Sequence, residues 1–330
     1  MKKKIAFITM GGTISATGED RLDLRNYVSG KITAEQYLKE IPELNKLAEI
    51  EIYSLDNVSS TQINEKHWFH LKEKIEWYLH EQNFDGIVIS HGTNTLEETA
   101  YFLHLTINTN KPIVLVGSQR PYSALSTDAH MNVLNGLRVA VDEESKGKGV
   151  LVSLNDQIHS ARDVTKTDTY RLETFQSGVH GILGTVDPDE TVNYYRSPMK
   201  NHTTSSQLTE LEEDQVKAVE IVYSYAGASG DLIRFITESK QYAGIIMAGT
   251  GAGRCSKAEE EALQEARQEG IHVVRGSRCL NGRVVDIEPY ANLEAIAADD
   301  LIPQKARILL MLALAQTQDL KAIQAIFDTH

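Results

Sequence analysis

Threonine hydroxyls follow glycine turns at two places where an apolar run of this sequence gives way to a polar segment. The stretch ITMGGTIS presents Thr13 directly after two glycines, and HGTNTLEET presents Thr93 directly after one. A third polar loop, ARDVTKTDTY, carries Lys166 between two threonines. A helix N-cap explains one hydroxyl of HGTNTLEET but not both. These three segments are therefore the first candidates for a chemical site.

A nucleophilic hydroxyl, a second hydroxyl and an amine are sufficient for acyl transfer without a metal or a cofactor. Thr13 is a weak nucleophile until a base removes its proton. Lys166 can take a proton if burial lowers its pKa, and helix N-termini beside the glycine turns can supply N–H groups for an oxyanion. We therefore predict that Thr13 attacks a carbonyl carbon. Taken singly, each segment has a structural alternative: a glycine turn, an N-cap, a solvated lysine.

Short apolar runs that alternate with helical patterns predict the elements that hold these loops in place. The strand-like runs are IAFIT, GIVIS, PIVLVG, GVLVSL, VEIVYSY, GIIMAG and HVVRGS. Continuous apolar runs of this kind are typical of parallel strands covered on both faces. In an open α/β sheet, ligands bind beyond the carboxyl ends of the strands. Thr13 and Thr93 both follow predicted strands, so they stand at such ends.

Two helices are predicted from their first residues. Asn64 is a good N-cap. The apolar residues that follow it at helical spacing are Trp68, Leu71, Ile75 and Leu79. Ser256 with Glu259 makes a capping box, and Gly270 ends that second helix. The alternation of strands and helices predicts an α/β fold with a doubly wound sheet.

Two domains are predicted, because 330 residues exceed what one ordinary core holds. The segment 201–215 is polar and acidic, and it is the predicted linker. We expect residues 1–200 to form a larger N-terminal catalytic domain with a mainly parallel, doubly wound sheet. Residues 216–330 are expected to form a smaller C-terminal α/β domain.

The charge balance argues against nucleic acid and membranes as partners. The chain carries 33 basic and 46 acidic side chains, a formal net charge of -13, which repels polyanions and anionic lipid. The apolar run at residues 5–10 is shorter than the roughly 7–15 residues that a signal peptide needs. No stretch approaches the roughly 20 apolar residues of a spanning helix. We expect a cytoplasmic protein whose two cysteines are free thiols.

An alternative enzyme class is suggested by AGTGAGR, which follows a predicted strand and is similar to a dinucleotide-binding fingerprint. The fingerprint is incomplete, because Arg254 stands where the third small residue belongs. A metal site is the other alternative, suggested by His91, His130 and His159. These histidines lie on separate segments without the spacing of metal ligands, so neither a cofactor nor a metal is predicted.

Six motifs, in order along nearly the whole chain, resemble those of the bacterial-type L-asparaginase (asparaginase/glutaminase) family. They are GGTIS at 11–15, NVSST at 57–61, HGTNTLEETAYFL at 91–103, VGSQRP at 116–121, RDVTKT at 162–167 and IPQKARILLMLAL at 302–314. The resemblance implies hydrolysis of the side-chain amide of L-asparagine, or of related amides such as L-glutamine, through a threonine acyl-enzyme. It also implies a homotetramer, a dimer of dimers, in which the C-terminal domain contributes to the partner subunit's site.

The resemblance assigns roles to the matching positions. Its catalytic set is Thr13, Tyr27, Thr93 and Lys166. Thr13 corresponds to the nucleophile, Tyr27 to its hydroxyl neighbour on a mobile loop, and Lys166 to the proton-transferring lysine. Its substrate-binding set is Gly12, Ser60, Thr61, Asn94 and Glu288. Ser60 matches the residue that holds the substrate's α-carboxylate, and Asp128 matches an aspartate that supports the structure.

The chain departs from the family pattern at the pocket end that binds the α-amino group. Asn94 replaces an aspartate that contacts the substrate's α-ammonium, Thr61 replaces a glutamine, and Arg254 replaces a common asparagine. Charge-assisted hydrogen bonds contribute about 1.5–3 kcal/mol against about 1 for neutral ones, so weaker binding of a free amino acid is expected. The acid that reaches the neighbouring subunit is Asp286 or Glu288, and spacing does not decide between them.

Catalysis is expected to survive the Asn94 replacement. A carboxylate at this position would keep Lys166 protonated, so its loss lowers the pKa of the lysine further and leaves proton transfer possible. Amide hydrolysis is therefore the predicted function. The alternative is a catalytically impaired or re-purposed member that binds a small amide or amino acid, or that hydrolyses a different amide because of Asn94.

Overall fold

The structure is a computed structural model that describes residues 2–28 and 31–330. The chain forms two compact units, the first ending at Ser205 and the second running from Ser206 to the C-terminus. The described strands of the first unit are β1 (Lys3–Gly11), β2 (Ala48–Val58), β3 (Gly86–Ser90), β4 (Ile113–Val116), β5 (Val150–Leu154), β6 (Gln157–Ser160), β7 (Thr165–Lys166), β8 (Phe175–Gln176), β9 (Gly184–Val186) and β10 (Val192–Tyr194). Its described α-helices are α1 (Ala34–Glu40), α2 (Leu44–Leu47), α3 (Glu65–Glu76), α4 (Leu96–Thr106) and α5 (Ala129–Val141).

The described strands of the second unit are β11 (Val219–Tyr223), β12 (Gly244–Gly249), β13 (His272–Ser277) and β14 (Ile296–Ala297). Its described α-helices are α6 (Asp231–Ser239), α7 (Lys257–Gln268), α8 (Pro303–Gln316) and α9 (Leu320–Thr329). A π-helical turn, Trp77–Glu81, continues α3. Short 3₁₀ helices lie at Thr13–Ser15, Ser60–Gln62, Glu143–Ser145, Leu172–Thr174, Gly178–His180, Thr203–Ser205, Glu213–Gln215 and Glu288–Leu293.

The main sheet of the first unit has the strand order β10-β9-β6-β5-β4-β3-β1-β2. The five adjoining strands β2, β1, β3, β4 and β5 pair parallel with one another in that order. At the far end β6 pairs antiparallel with β5, β9 with β6, and β10 with β9. The strand order reverses around β1, which has β2 on one side and β3 on the other. A switch point of this kind opens a crevice at the carboxyl ends of the strands. The predicted doubly wound, mainly parallel sheet is confirmed.

Both faces of this sheet are covered. Ile5 and Phe7 of β1 belong to an apolar core that includes residues of α1, α2 and α5. The alternate residues Ala6 and Ile8 are completely buried as well. Successive side chains of a strand point to opposite faces, so the burial of both sets requires packing on each face. This explains why β1 is a continuous apolar run in the sequence.

The second unit contains a smaller parallel sheet with the order β11-β12-β13-β14. Helix α8 packs on β11 and β12, while α6 and α7 pack against each other. The predicted capping box of α7 is confirmed, because Ser256 Oγ accepts from the Glu259 N–H at 3.1 Å and Glu259 Oε2 accepts from the Ser256 N–H at 2.8 Å. Gly270, with a φ of 85°, follows the end of this helix as predicted.

The predicted start of α3 is also confirmed. Asn64 is its N-cap and forms a capping box with His67. The predicted stripe is buried along the helix and into the π-helical turn; its members are Trp68, Leu71, Ile75 and Leu79. Both cysteines, Cys255 and Cys279, are free. In the part of the chain that the structure describes, no helix has the length and apolar character that a bilayer crossing demands.

Candidate active site

Two glycine turns bring the ends of β1 and β3 into backbone contact. Gly12 has a φ of 89°, which side chains rarely adopt. A Cβ at this position would lie 2.2 Å from the Cα of Gly92. A Cβ on Gly92 would lie 3.0 Å from the Cα of Gly12 and 2.7 Å from the hydroxyl oxygen of Ser60. Glycine at both positions allows this close approach, which places Thr13 and Thr93 on adjoining turns.

Thr13 begins the 3₁₀ helix that follows β1, and it is partly buried. Its Oγ1 lies 3.2 Å from the hydroxyl oxygen of Tyr27, and either hydroxyl can be the donor. The turn around Thr13 is held by further bonds: the Tyr37 hydroxyl donates to the Ile14 carbonyl, and Ser15 Oγ donates to the carbonyl of the preceding glycine turn at 3.1 Å. The predicted nucleophile and its predicted hydroxyl neighbour therefore meet.

The loop that carries Tyr27 is closed at its base. Thr17 and Val28 exchange two backbone hydrogen bonds at 3.1 and 3.0 Å. The loop is also attached to a neighbouring segment, since the Gly18 N–H donates to Ser123 Oγ at 2.8 Å. These contacts fix the base of the loop on which Tyr27 lies.

An open cavity of about 520 Å³ lies on the same loop. Its lining residues are Thr17, Gly18, Glu19, Asp20, Asp23, Asn26, Tyr27 and Val28. Of the predicted catalytic set it includes the tyrosine alone. We therefore place the candidate site at the glycine turns, where hydroxyl and amine groups converge, and not in this cavity.

Lys166 ends β7, and its amine meets the second hydroxyl of the predicted catalytic set. Lys166 Nζ lies 2.9 Å from Thr93 Oγ1, and Thr93 is 4% exposed. Burial lowers the pKa of Lys166, and the negative charges of Glu97 and Asp168 oppose that shift. A lowered pKa increases the fraction of neutral amine near pH 7, and the neutral amine is the form that accepts a proton.

The end of β2 supplies a third loop to this site. Ser60 Oγ accepts from the backbone N–H of Asn94 at 3.3 Å, and the Ser60 carbonyl accepts from the Thr95 hydroxyl at 2.8 Å. The residue Asn94 is exposed. Thr61 is exposed too, and its hydroxyl oxygen lies 2.9 Å from that of Ser59. Six of the nine predicted site residues thus follow the ends of β1, β2 and β3: Gly12, Thr13, Ser60, Thr61, Thr93 and Asn94. Tyr27 and Lys166 reach Thr13 and Thr93 from other segments. Glu288 belongs to the second unit.

The two candidate acids of the second unit differ in their surroundings. Glu288 is exposed at the start of the 3₁₀ helix Glu288–Leu293. Asp286 is exposed as well, but its charge acts on a cation of its own unit. Burial lowers the pKa of Arg275, and the carboxylate of Asp286 opposes this shift. The same arginine donates to the Val285 carbonyl at 2.6 Å.

Asp128 is a supporting residue. Its carboxylate accepts from the backbone N–H groups of Gln119 and Arg120 and from Asn132 Nδ2, each at 3.0 Å. These bonds join the segment after β4 to the start of α5. Across residues 2–28 and 31–330, no group of three or more His, Cys, Asp or Glu side chains is arranged to hold a metal ion.

Two family models match the chain. A model of the N-terminal domain of asparaginases matches residues 4–200. A model of the glutaminase/asparaginase C-terminal domain matches residues 218–327. The chain belongs to the asparaginase family. The family inferred from the six sequence motifs is confirmed.

Individual relatives of this asparaginase-family chain are similar over almost its whole length. It is 39% identical over 326 residues to L-asparaginase 2 of Bacillus subtilis, a match that covers 99% of this chain and 86% of the relative. It is 38% identical over 326 residues to glutaminase-asparaginase of Pseudomonas fluorescens biotype A, covering 98% and 89%. A crystal structure of a probable cytoplasmic L-asparaginase from Campylobacter jejuni matches with a TM-score of 0.95 and 38% identity over 100% of both chains.

Sequence reasoning missed two buried features beside the candidate site. One is Glu97, and the other is a series of hydrogen bonds that begins at His91. His91 Nδ1 lies 2.8 Å from the Gly92 carbonyl oxygen. A carbonyl only accepts, so Nδ1 carries the proton and Nε2 accepts from the Thr99 hydroxyl at 3.0 Å. The Thr99 oxygen in turn accepts from Trp68 Nε1 at 2.9 Å. This chain of bonds holds the glycine turn before Thr93, and the complete burial of the imidazole favours its neutral form.

Because His91 is buried, we expect the free energy of unfolding to decrease in mild acid. Complete burial lowers the pKa of His91 from 6.5 to about 4. In the unfolded chain the same side chain binds a proton below about pH 6.5, so between these values the unfolded state binds more protons. His91 therefore makes the free energy of unfolding fall by up to about 1.4 kcal/mol per pH unit as the pH decreases through this window.

The measurement is urea unfolding of the wild type and of His91→Gln at pH values from 7 to 4, followed by tryptophan fluorescence. Both tryptophans, Trp68 and Trp77, lie in the first unit, so the signal reports on that unit. The variant is expected to be less stable at pH 7 and to show a flatter dependence on pH. Equal slopes in the two proteins would contradict the assignment of a neutral, buried imidazole.

Proposed function

We propose that this protein hydrolyses the side-chain amide of L-asparagine, and that of L-glutamine as a second substrate, to the carboxylate and ammonia. The observation that carries this proposal is the presence of two hydrogen-bonded pairs on adjoining turns. Thr13 Oγ1 lies 3.2 Å from the hydroxyl oxygen of Tyr27, and Lys166 Nζ lies 2.9 Å from Thr93 Oγ1. Family membership supports the amide chemistry, since the matched relatives are named L-asparaginase and glutaminase-asparaginase.

The two pairs divide the reaction into two steps. Thr13 Oγ1 attacks the amide carbon, the C–N bond breaks, and the nitrogen leaves as ammonia with the proton given up by the threonine. The Tyr27 hydroxyl is placed to pass that proton. A water molecule then attacks the acyl-enzyme and gives its proton to the Thr93 oxygen, while the Thr93 hydroxyl gives its own proton to the neutral amine of Lys166. Return of this proton to Thr13 Oγ1 releases the carboxylic acid and restores the enzyme.

The remaining predicted residues bind substrate in this proposal. Gly12 allows the backbone of the turn to approach the reacting carbonyl, and Ser60 binds the α-carboxylate beside Thr61. Asn94, next to Thr93, receives the α-amino group. Glu288 is the acid proposed to reach the partner subunit's site, because the charge of Asp286 acts on a buried arginine of its own unit.

Asn94 is predicted to weaken the binding of free L-asparagine. In Asn94→Asp the KM for L-asparagine is expected to fall by about fivefold, since a charge-assisted hydrogen bond to the α-ammonium adds roughly 1 kcal/mol over a neutral one. The measurement is steady-state kinetics with L-asparagine and, as a matched substrate control, N-acetyl-L-asparagine. The variant is expected to gain nothing on the acetylated substrate, and an unchanged KM for L-asparagine contradicts the prediction.

The proposed function is tested by ammonia release from L-asparagine, L-glutamine, D-asparagine and N-blocked amides. We expect turnover of L-asparagine and slower turnover of L-glutamine. If a substrate with a blocked α-amino group reacts faster than L-asparagine, the preferred substrate of the enzyme is an amide other than L-asparagine. No ammonia from any member of the panel, together with retained binding of an amide by calorimetry, favours an impaired member that only binds.

The proposal extends to assembly and location. Residues 201–215 link a catalytic N-terminal domain to a C-terminal domain, and paired subunits of a homotetramer share their sites. The cytoplasm is the proposed location. The matched Campylobacter jejuni protein is named a probable cytoplasmic L-asparaginase, whereas a Haemophilus influenzae relative that is 37% identical is named a probable periplasmic L-asparaginase. Light scattering of the purified protein gives the assembly, and a mass near that of one chain contradicts the tetramer.

A further inference from the structure

A buried carboxylate, that of Glu97, contacts the lysine of the site. Glu97 lies in the first turn of α4, and it is 5% exposed. Its Oε2 accepts a hydrogen bond from the backbone N–H of Lys166 at 2.6 Å. Burying a carboxylate is unfavourable unless hydrogen bonds and nearby positive potential stabilise it. The start of a helix provides such a potential, and the lysine N–H provides a bond.

The start of α4 therefore contacts Lys166 at two points. Thr93, just before the helix, meets the amine at the tip of the side chain, and Glu97 meets the backbone N–H at its base. The strand that carries the lysine has two residues, and the lysine pairs there with Phe175 of β8. A lysine side chain has several rotatable bonds, so fixing both ends limits the positions that its amine can take.

The charge of Glu97 also acts on the lysine. The charged groups that oppose the lowering of the Lys166 pKa are Glu97 on α4 and Asp168 on the lysine's own loop. Asp168 is partly exposed, with 37% of its side chain accessible, and its Oδ2 lies 3.6 Å from Arg171 Nε. Solvent and this arginine screen its charge, whereas a buried carboxylate is screened much less. Glu97 is therefore the stronger of the two influences.

We propose that Glu97 is a positioning residue for amide hydrolysis: its carboxylate fixes the backbone of Lys166 so that the amine meets Thr93, and its buried negative charge acts on that amine. This inference rests on the function proposed above. It assigns Glu97 no contact with substrate.

The first test is Glu97→Gln, which keeps an acceptor oxygen for the Lys166 N–H and removes the charge. Without that charge the Lys166 amine loses its proton at lower pH, so the rising limb of the kcat/KM profile is expected to move to lower pH with little change in its plateau. The matched control is Glu98→Gln, which removes the same charge from the next residue of α4. Its rising limb is expected to stay at the wild-type position.

The second test is Glu97→Asp, which keeps the charge and shortens the side chain by one methylene. The 2.6 Å contact to the lysine backbone is then lost. A displaced amine is expected to lower kcat by about tenfold or more, with the rising limb close to that of the wild type. The two variants thus separate the effect of the charge from the effect of the contact.

A readout that needs no turnover is the titration of Lys166 by NMR with ¹³Cε-labelled lysine, its signal assigned through Lys166→Met. In Glu97→Gln this signal is expected to titrate at lower pH than in the wild type, and in Glu98→Gln at the same pH.

If the wild type releases no ammonia, the proposed function fails while the NMR comparison still decides the inference. An unmoved lysine titration in Glu97→Gln, or a full kcat in Glu97→Asp, overturns it. If Glu97→Gln does not fold, the kcat of Glu97→Asp decides.

Discussion

Replacing Thr13 by alanine is expected to lower kcat for L-asparagine by about 10⁴-fold or more, because removal of the proposed nucleophile leaves only binding and oxyanion stabilisation. Thr13 Oγ1 has the Tyr27 hydroxyl 3.2 Å away, so the attacking oxygen is already placed beside a group that can pass its proton. The KM is expected to change little, since the hydroxyl contributes to the transition state and not to ground-state binding. The measurement is initial-rate ammonia release at saturating L-asparagine.

Two control variants make the result specific. Thr13→Ser keeps a hydroxyl at the same atom position and is expected to keep a measurable fraction of the activity. Thr17→Ala removes a threonine from the same loop, where its described bonds to Val28 run through the backbone, and is expected to keep wild-type rates. Full activity in Thr13→Ala, with circular dichroism like that of the wild type, removes Thr13 from the role of nucleophile.

Much of the fold was predictable because its strands are buried on both faces. Four of the continuous apolar runs in the sequence form strands in the structure, namely β1, β3, β4 and β5. The strand β2 was missed. It is an edge strand with one neighbour, β1, and its sequence AEIEIYSLDNV alternates apolar and polar residues, as a half-exposed edge does. A search for continuous apolar runs passes over such a strand.

The positions of the site residues were predictable to different degrees. Thr13 and Thr93 follow glycines at strand ends, so their proximity follows from the parallel sheet and its switch point. Tyr27 and Ser60 have no such local signal, and they entered through family resemblance. The sequence also does not show that the backbones of Gly12 and Gly92 are in contact. This contact joins two turns that are far apart in the chain, and the pattern of apolar and polar residues carries no sign of it.

Glu97 shows what a sequence pattern leaves open. The stretch LEET contains two adjacent glutamates in the first turn of a helix, and both suit the helix dipole equally. Glu97 is the buried one, and its carboxylate accepts from the backbone N–H of Lys166, 69 positions further along the chain. Long-range contacts of this kind depend on tertiary structure, so the pattern alone could not select it.

The second large effect is expected for Lys166→Met, which keeps the length of the side chain and removes the amine. We expect kcat to fall by about 10²- to 10⁴-fold, the range for loss of a positioned general base. The amine lies 2.9 Å from Thr93 Oγ1, and its lowered pKa is caused by burial. Lys148→Met, at a lysine whose Nζ bonds Ser197 near the surface, is the control and is expected to keep wild-type rates.

Pairing this change with Thr93→Val shows whether the two groups act as one unit. If Thr93 passes protons to Lys166, removal of either group breaks the same path, and the double variant is expected to be hardly slower than the worse single variant. Additive losses would mean that the threonine and the lysine act in separate steps. The rising limb of the kcat/KM profile adds an independent readout: it is expected to disappear in Lys166→Met, and its persistence would mean that another group titrates there.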